Sequence, residues 1–335
     1  MSQDGVAAPA VVIAGSTIPL ASIACPVCGS ASHRIDHPLS GRSLAAMGDA
    51  LGIAKPFQLD APQHIARCEA CGLEFSDPMS NPGKAFYTWL TSEQFEYPKG
   101  RWEWVEAVSM LEKLAADRPV VVLDAGSGEG RFLEAINKIP GLTSYGIDQN
   151  PDVVAASQLR GLNVRQGDLS IIGLDDLGVD VITFWHVVEH VADPLEMLER
   201  ARDCLHGGGT IMFSVPITPM SYEHAWPDPF NMPPHHLTRW SIRSLEALAR
   251  RLGMQFSMTL PTAASIHSRT LRSLVLRTSG SSGPSSPLVK AVRVLRYVLR
   301  NPHRLVQEIR QQREREVHDG KPLPDVVLVS LRKRG

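Results

Sequence analysis

The chain has 335 residues, of which 43% are hydrophobic, and its formal net charge is −1. This composition is typical of a globular protein with a sizeable core, and the near-zero charge gives no general attraction for a polyanion. No apolar stretch is long enough to span a membrane and the N-terminal segment lacks the basic residues of a signal peptide, so we expect a cytoplasmic protein.

Four of the five cysteines occur in two CxxC motifs, each followed by a glycine. In such a motif a tight turn places two thiolates on one side, and two motifs complete the four-sulfur tetrahedron that Zn²⁺ favours. The pattern therefore predicts a closed structural zinc site rather than disulfides or a redox centre. The predicted zinc ligands are Cys25, Cys28, Cys68 and Cys71.

A helical segment is predicted next, over residues 102–116. Its apolar residues recur at helical spacing, which indicates one buried face. The residues expected on that face are Trp102, Val105, Met110 and Leu114.

The stretch 120–148 predicts a strand, a glycine turn, a helix and a second strand that ends in an acid, Asp148. The first strand is a continuous apolar run, as expected for a parallel strand buried on both faces. A unit of this kind holds an adenosine-type ligand, with the acid bonding the ribose hydroxyls. Its loop reads DxGxGxG rather than the GxGxxG of dinucleotide enzymes. The carboxylate of Asp124 beside the loop favours a ligand that carries a positive charge or an amino group.

This loop resembles the first motif of class I S-adenosylmethionine-dependent methyltransferases, and further matches follow in order over residues 119–260. The resemblance implies an α/β fold with a doubly wound, seven-stranded, Rossmann-like sheet whose last strand is antiparallel. It also implies S-adenosylmethionine as the cofactor. The string CGLEFSDP at 71–78 resembles a zinc-ribbon leader in a branch of these enzymes that modifies sugars or natural products. In such enzymes the segment before the core closes over the cofactor, which makes Tyr97 and Arg101 candidate lid residues.

The third and fourth strands are predicted to end near Asp168 and Phe184, and HVVEHVADP follows at 186–194. By the resemblance, Asp168 bonds the adenine amino group with the backbone of Leu169 alongside. Ligands of open α/β sheets bind at the carboxyl ends of strands, which places Trp185 and His186 at the methyl-donating end. The residues expected to bind the cofactor are Asp124, Gly126, Ser127, Gly128, Asp148, Gln149, Asp168, Leu169, Trp185 and His186.

A helix is predicted at 195–205, ended by the glycines at 207–209, and a fifth strand follows at 210–216. The long segment 220–240 is rich in proline, histidine and aromatic residues, and a loop of this length is usually functional. Its part 233–240 resembles the PxHHxxxW/F segment of sugar and quinone methyltransferases. A histidine beside an acceptor hydroxyl can take its proton near neutral pH. The catalytic candidates are His235, His236 and His186, with Glu223 and His224 secondary, and packing is the alternative for either member of the His235–His236 pair.

The sixth and seventh strands are predicted at 254–260 and 325–331, with an insertion containing two helices between them. Residues 267–315 contain eleven lysines and arginines against two acids, and an apolar stripe runs between the arginines. A basic amphipathic helix of this kind suits an anionic membrane surface or an anionic substrate. The alternative is a helix that packs on a partner or is solvated.

The predicted domains are a zinc-ribbon leader (1–80), linker and lid helices (81–118), a methyltransferase core (119–261 and 325–335) and a basic helical insertion (262–324). The predicted function is histidine-assisted methyl transfer to a hydroxyl of a small-molecule or glycan acceptor: a sugar, glycolipid or secondary metabolite. One alternative is C-methylation of a nucleotide-linked keto sugar. Others are RNA methylation through the ribbon and basic helices, and a non-catalytic cofactor-binding scaffold. Nucleic acid is disfavoured because the basic residues are confined to the insertion.

Overall fold

The computed structural model describes eleven stretches of the chain, and all structural statements below refer to them. Tyr97 and most of the segment between the predicted insertion helices lie outside these stretches. The described residues are 10–13, 16–19, 24–39, 63–90, 100–171, 178–226, 228–262, 264–279, 286–315, 317–318 and 321–335.

The N-terminal part consists of antiparallel strands followed by two helices. The first two strands pair with each other, and the next three form an antiparallel meander in which one CxxC turn precedes its first strand and the other lies between its last two. These elements are β1 (Ala10–Ile13), β2 (Ser16–Pro19), β3 (His33–Leu39), β4 (Gln63–Cys68), β5 (Glu74–Asp77), α1 (Gly83–Leu90) and α2 (Trp102–Asp117).

Alternating strands and helices then build the main sheet. Their bounds are β6 (Val120–Ala125), α3 (Arg131–Ile136), β7 (Leu142–Asp148), α4 (Pro151–Leu159), β8 (Val164–Gln166), β9 (Val179–Trp185), α5 (Pro194–Cys204), β10 (Leu205–Pro216), β11 (Thr238–Arg239), α6 (Ile242–Leu252) and β12 (Gln255–Thr259). The chain continues with α7 (Ile266–Ser279), α8 (Pro287–Arg300), α9 (Pro302–Arg313), β13 (Val317–His318), β14 (Lys321–Pro322) and β15 (Val326–Arg332).

The main sheet has seven strands in the order β12-β15-β10-β9-β6-β7-β8. Strands β6 to β10 pair in parallel, whereas β15 is antiparallel to both of its neighbours. Neighbouring residues such as Val181 and Ile182 belong to different hydrophobic clusters, so the sheet is covered on both faces. The predicted α/β fold with an antiparallel last strand is confirmed.

Local sequence signals explain where several helices begin. The side chains of Asn150 and Asp193 accept hydrogen bonds from the first-turn backbone of α4 and α5, and each of these helices has proline in its first turn. Ser241, which precedes α6, forms a capping box with Ser244. These caps place the helix starts directly after the loops that follow the strands, where ligands of such sheets bind.

Two predictions about the elements are wrong and a third is right only in part. Of the residues predicted on the buried face of α2, Trp102, Met110 and Leu114 pack partly buried against the core, whereas Val105 is 69% exposed. The fully buried residues of this helix are Glu103, Ala107 and Leu111. The glycines at 207–209 lie inside β10 rather than ending α5, because the pairing with β9 shifts between Leu205 and Thr210 and absorbs them as an irregularity. The insertion contains three helices, α7 to α9, instead of two.

The CxxC strands and the main sheet share one hydrophobic cluster. Val27, Leu73 and Phe75 belong to the same cluster as Phe213 of β10 and Trp240. Strand β11 pairs with β5, so the segment after the His-His pair completes the N-terminal sheet. Among the described residues, no helix combines the length and apolar character that a bilayer crossing requires.

Candidate active site

A cavity of about 740 Å³ opens at the carboxyl ends of β6, β7 and β9. All ten residues predicted to bind the cofactor line it, together with His235 and Arg101. The strand register accounts for this, because Asp124 on β6 lies opposite Gly146 on β7 and Thr183 on β9. The motifs that the sequence separates by sixty residues therefore meet at one edge of the sheet.

The glycine loop between β6 and α3 forms the floor of this cavity. Gly126 and Gly128 have φ values of 75° and 52°, in the left-handed region that glycine adopts without strain. A Cβ atom on Gly126 would lie 2.6 Å from a methyl carbon of Val187, whereas one on Gly128 would meet nothing within 4 Å. The backbone of Gly128 donates a hydrogen bond of 2.8 Å to the carboxylate of Asp148. This bond fixes the loop against the acid that ends β7.

Asp124 is a buried acid with one unused oxygen. Its Oδ1 accepts a hydrogen bond of 2.7 Å from Thr183, while its buried Oδ2 has no partner among the described residues. Burial raises the pKa of Asp124 to about 7, although the Thr183 hydrogen bond opposes the shift and the charge of Asp148 adds to it. Such a carboxyl is poised to ionise when a positively charged or amino group approaches.

The donor and acceptor atoms of the cavity fit S-adenosylmethionine. Ser127 Oγ and Trp185 Nε1 are buried without a hydrogen-bond partner among the described residues, as is Asp124 Oδ2. Asp148 and Asp168 each hold a backbone N–H at 2.8 Å and keep further acceptor capacity for a ligand. The cavity volume lies in the range usual for cofactor sites, roughly 300–1,000 Å³.

His186 is held between two buried carboxylates on the wall of the cavity. Its Nε2 lies 3.0 Å from Glu103 Oε1 and its Nδ1 lies 3.2 Å from Glu189 Oε1. Burial lowers the pKa of His186, but the hydrogen bonds to the two carboxylates outweigh it and the pKa is raised. For Glu103 and Glu189 burial raises the pKa, and His186 reverses that effect, so both pKa values are lowered. In this group, the Glu103–His186–Glu189 triad, the two carboxylates favour the protonated form of the imidazole.

Sequence reasoning missed Glu103. A glutamate in the first turn of a helix ordinarily faces water, and its partner lies 83 residues further along the chain. Glu189 lies within HVVEHVADP, but no role was predicted for it. The one sequence signal that could have pointed to Glu103 is its i, i+4, i+8 spacing with Ala107 and Leu111 on the buried face.

Three histidines form a second cluster beside the triad. The ring centroids of His190, His235 and His236 lie 4.6–4.8 Å apart. The Nδ1 atoms of His190 and His235 face backbone carbonyl oxygens at 2.7 and 3.0 Å, so Nδ1 carries a hydrogen in both rings. Burial, followed by the nearby His190, lowers the pKa of His235 to about 3 and keeps its ring neutral.

The two members of the predicted pair are placed differently. His235 lines the cavity, whereas His236 is buried behind it, with its Nδ1 3.0 Å from the side-chain oxygen of Asn231. Their rings are stacked with an interplanar angle of 19°, and a metal ion must lie in the plane of each imidazole that binds it. This arrangement favours a structural role for the histidine cluster, through packing and hydrogen bonds, over metal binding.

The secondary candidates Glu223 and His224 lie outside the cavity lining. Glu223 forms an ion pair with the buried Arg239, and His224 Nε2 lies 2.7 Å from Glu308 Oε1 on α9. Both contacts join the loop to structural elements. Of the two lid candidates, Arg101 lines the cavity and Tyr97 is outside the described residues.

The four cysteines of the CxxC motifs converge. The sulfur atoms of Cys25 and Cys71 are 3.6 Å apart, those of Cys28 and Cys68 are 3.5 Å apart, and all four lie within 4.8 Å of one another. A tetrahedral site with Zn–S bonds of about 2.3 Å requires S···S distances of about 3.8 Å. The donor set and its spacing fit Zn²⁺, and all five cysteines are free of disulfides.

A known family model matches the part of the chain that supplies most of the cavity lining. The sequence model of the family described as "Methyltransferase domain" matches residues 101–256. A probable S-adenosylmethionine-dependent methyltransferase of Mycolicibacterium smegmatis is 28% identical over 162 residues, which cover 48% of this chain and 60% of that protein. A ubiquinone biosynthesis O-methyltransferase of Coxiella burnetii is 31% identical over 99 residues, 28% of this chain and 42% of that protein. The chain thus spans less than two thirds of the length of these relatives.

A solved structure of a SAM-dependent methyltransferase from Archaeoglobus fulgidus is also similar. It is 19% identical, covers 74% of this chain and 100% of its own, and superposes with a TM-score of 0.43.

Proposed function

We propose that this chain transfers a methyl group from S-adenosylmethionine to a hydroxyl of a small-molecule acceptor. The observation that carries the proposal is a single cavity in which the ten predicted cofactor residues adjoin His235 and the Glu103–His186–Glu189 triad. The match of residues 101–256 to a methyltransferase domain supports the reaction class. The relative from Coxiella burnetii, whose name specifies O-methylation, supports a hydroxyl acceptor.

The chain contributes charge and position to this reaction. Bound S-adenosylmethionine supplies an electrophilic methyl group, and the transfer is an in-line displacement that depends on alignment. Asp124 is assigned to a positively charged part of the cofactor, Asp148 to the ribose and Asp168 to the adenine. These three assignments are supported by the burial of Asp124 and by the exposure of Asp148 and Asp168 toward the cavity.

His235 is assigned as the group that receives the acceptor proton. Its ring is neutral, and because Nδ1 donates to the Phe230 carbonyl, the lone pair lies on Nε2, for which the described residues provide no hydrogen-bond donor. A weak base suffices here, since the acceptor oxygen becomes strongly acidic as its bond to the methyl carbon forms. Both ring nitrogens of His186 are engaged by carboxylates, which suits it to positioning rather than to proton uptake. His236 is assigned a packing role behind His235.

We place the acceptor beside Tyr87, Leu90 and His235, at the side of the cavity that α1 covers. Aromatic and aliphatic side chains next to a few polar groups suit a sugar, a glycolipid or a secondary metabolite with an apolar portion. We further propose that the four cysteines hold a structural Zn²⁺, because four sulfur donors leave no open coordination position for catalysis.

The test is a turnover assay that detects S-adenosylhomocysteine with pools of phenols, sugars, glycolipids, keto-sugar nucleotides and RNA. We expect turnover with a hydroxyl acceptor and a loss in kcat of about 100-fold or more for His235→Asn. The matched control is His303→Asn on α9, an exposed histidine outside the cavity lining. Affinity for S-adenosylmethionine, measured separately by calorimetry, should stay unchanged in both variants.

The other outcomes identify the alternatives. Turnover only with keto-sugar nucleotides assigns the protein to C-methylation, and turnover only with RNA, falling steeply with salt, assigns it to RNA. If the protein binds the cofactor, Asp148→Ala abolishes that binding and no acceptor pool gives turnover, the protein is a non-catalytic cofactor-binding scaffold. Equal activity of His235→Asn and the wild-type protein removes the proton-acceptor role of His235.

A further inference from the structure

Helix α8 presents an apolar stripe to solvent. Its large side chains Leu288, Val292, Leu295 and Leu299 are 74%, 39%, 58% and 72% exposed. Their spacing of four, three and four residues aligns them along one face, which we call the α8 stripe. The helix packs through the opposite side, where Val294 is buried. A contiguous exposed row of leucines is unusual on a monomeric protein and marks a contact surface.

Positive charge lies along one flank of this stripe. At about 3.6 residues per turn, Arg296 falls beside the α8 stripe, and the exposed Arg293 and Arg300 lie further round the helix on the same flank. None of these three arginines has an ion-pair partner among the described residues, and α8 contains no acid. In the neighbouring α9, Glu308 is buried and Glu314 is paired with Arg310. The surface around the stripe therefore carries uncompensated positive charge.

We propose that α8 docks on an anionic lipid bilayer and lies in the plane of its interface. An apolar stripe that enters the acyl boundary while flanking arginines contact headgroup phosphates is the arrangement of interfacial helices. The helix has 14 residues, about 21 Å in length, which suits lying on a bilayer and is too short for its hydrocarbon core of about 30 Å. A second copy of the chain is a poorer occupant, because two α8 faces would bring like-charged flanks together.

This surface goes beyond the methyl-transfer proposal and is independent of it. The α8 stripe does not line the cavity, and lipid binding requires neither cofactor nor acceptor. Docking through α8 would hold the protein at a membrane and give it access to acceptors with a lipid portion. Failure of the vesicle test and failure of the turnover assay can therefore be told apart.

The experiment is co-sedimentation of the full chain with vesicles of phosphatidylcholine alone or mixed with phosphatidylglycerol. We expect binding to the mixed vesicles that weakens with salt, and at least about tenfold weaker binding to phosphatidylcholine alone. The double variants Leu295→Glu/Leu299→Glu and Arg293→Glu/Arg296→Glu should each lose about tenfold or more in partitioning. The matched control is Leu159→Glu on α4, a leucine that is 90% exposed away from this surface.

Circular dichroism and cofactor calorimetry establish that each variant is folded. The proposal is overturned if the protein binds neither kind of vesicle or binds both equally. It is also overturned if Leu295→Glu/Leu299→Glu binds as well as the wild-type protein. Light scattering that reveals a dimer lost in the same double variant, without vesicle binding, would assign the face to a second copy instead.

Discussion

At the scale of single residues, burial opposes the ionisation of Asp124, whereas a cationic ligand favours it. Burial raises its pKa to about 7, and its Oδ2 is unpaired among the described residues. We expect affinity for S-adenosylmethionine to increase from about pH 6 to about pH 8, because an ionised carboxylate binds a cationic ligand better. Asp124→Asn should lose this pH dependence and bind at least about tenfold more weakly at the higher pH, measured by calorimetry.

The same residue should affect the stability of the free protein with the opposite sign. Its folded pKa is raised above the ordinary value of 3.8, so its stabilising contribution is complete below that value and is lost as pH rises through about 7. Asp124→Asn should therefore melt above the wild type at alkaline pH without ligand. Asp117→Asn, at the exposed end of α2, serves as the control. A pH-independent affinity in the wild-type protein would contradict the assignment of Asp124.

The sequence could predict the cofactor side of the cavity because its determinants are local. Asp124, the glycine loop and Asp148 are adjacent to strand ends, and strand ends of a parallel sheet meet at one edge. Glu103 could not be predicted in this way. Its burial depends on His186, which reaches it across the fold, and nothing in the helix around Glu103 reveals that partner.

At the scale of elements, helix α2 contributes Trp104 to the cavity lining and Glu103 to the triad. We expect Glu103→Gln to lower the free energy of unfolding by about 1.5–3 kcal/mol, because it removes a buried carboxylate that hydrogen-bonds to His186. Chemical unfolding followed by tryptophan fluorescence measures the effect. Glu106→Gln, exposed on the same helix, is the matched control and should be nearly neutral.

The pH window of this effect follows from the two pKa directions. The pKa of His186 is raised above 6.5, so its contribution is complete below that value and is lost as pH rises through the folded pKa. The pKa of Glu103 is lowered below 4.5, so its contribution is complete above that value and is lost as pH falls through the folded pKa. The difference between Glu103→Gln and the wild type should be largest between these limits. A difference that grows steadily above pH 6.5 would contradict the triad.

Element boundaries were predictable where a cap or a long apolar run marks them, as at Ser241 and in β9. The wrong predictions arose where tertiary pairing overrides local preference. The glycines at 207–209 would end an isolated helix, but β9 and β15 extend β10 back toward them. Val105 was predicted to be buried because it is hydrophobic, whereas Glu103 is the buried residue. Hydrophobicity alone cannot predict a buried ion pair.

At the scale of the whole molecule, the CxxC strands and the main sheet share one hydrophobic cluster, and β11 pairs with β5 directly after the His-His segment. Arg239 of β11 forms ion pairs with Glu74 of β5 and with Glu223, and the backbone of Leu237 donates to the carbonyl of Glu189. The ribbon thus supports the strand that positions His235.

Removal of the proposed zinc should therefore destabilise the main sheet as well as the CxxC strands. We expect about one zinc per chain by elemental analysis, and a single calorimetric melting transition that falls by several degrees in Cys68→Ser or with a chelator. Turnover should fall with the same variant, because β11 and His235 lose their support. Cys204→Ala is the control, since Cys204 is buried in the same cluster but lies outside the four-cysteine group. Two separate transitions, with the cofactor-binding transition unmoved by zinc loss, would show instead that the ribbon folds independently of the site.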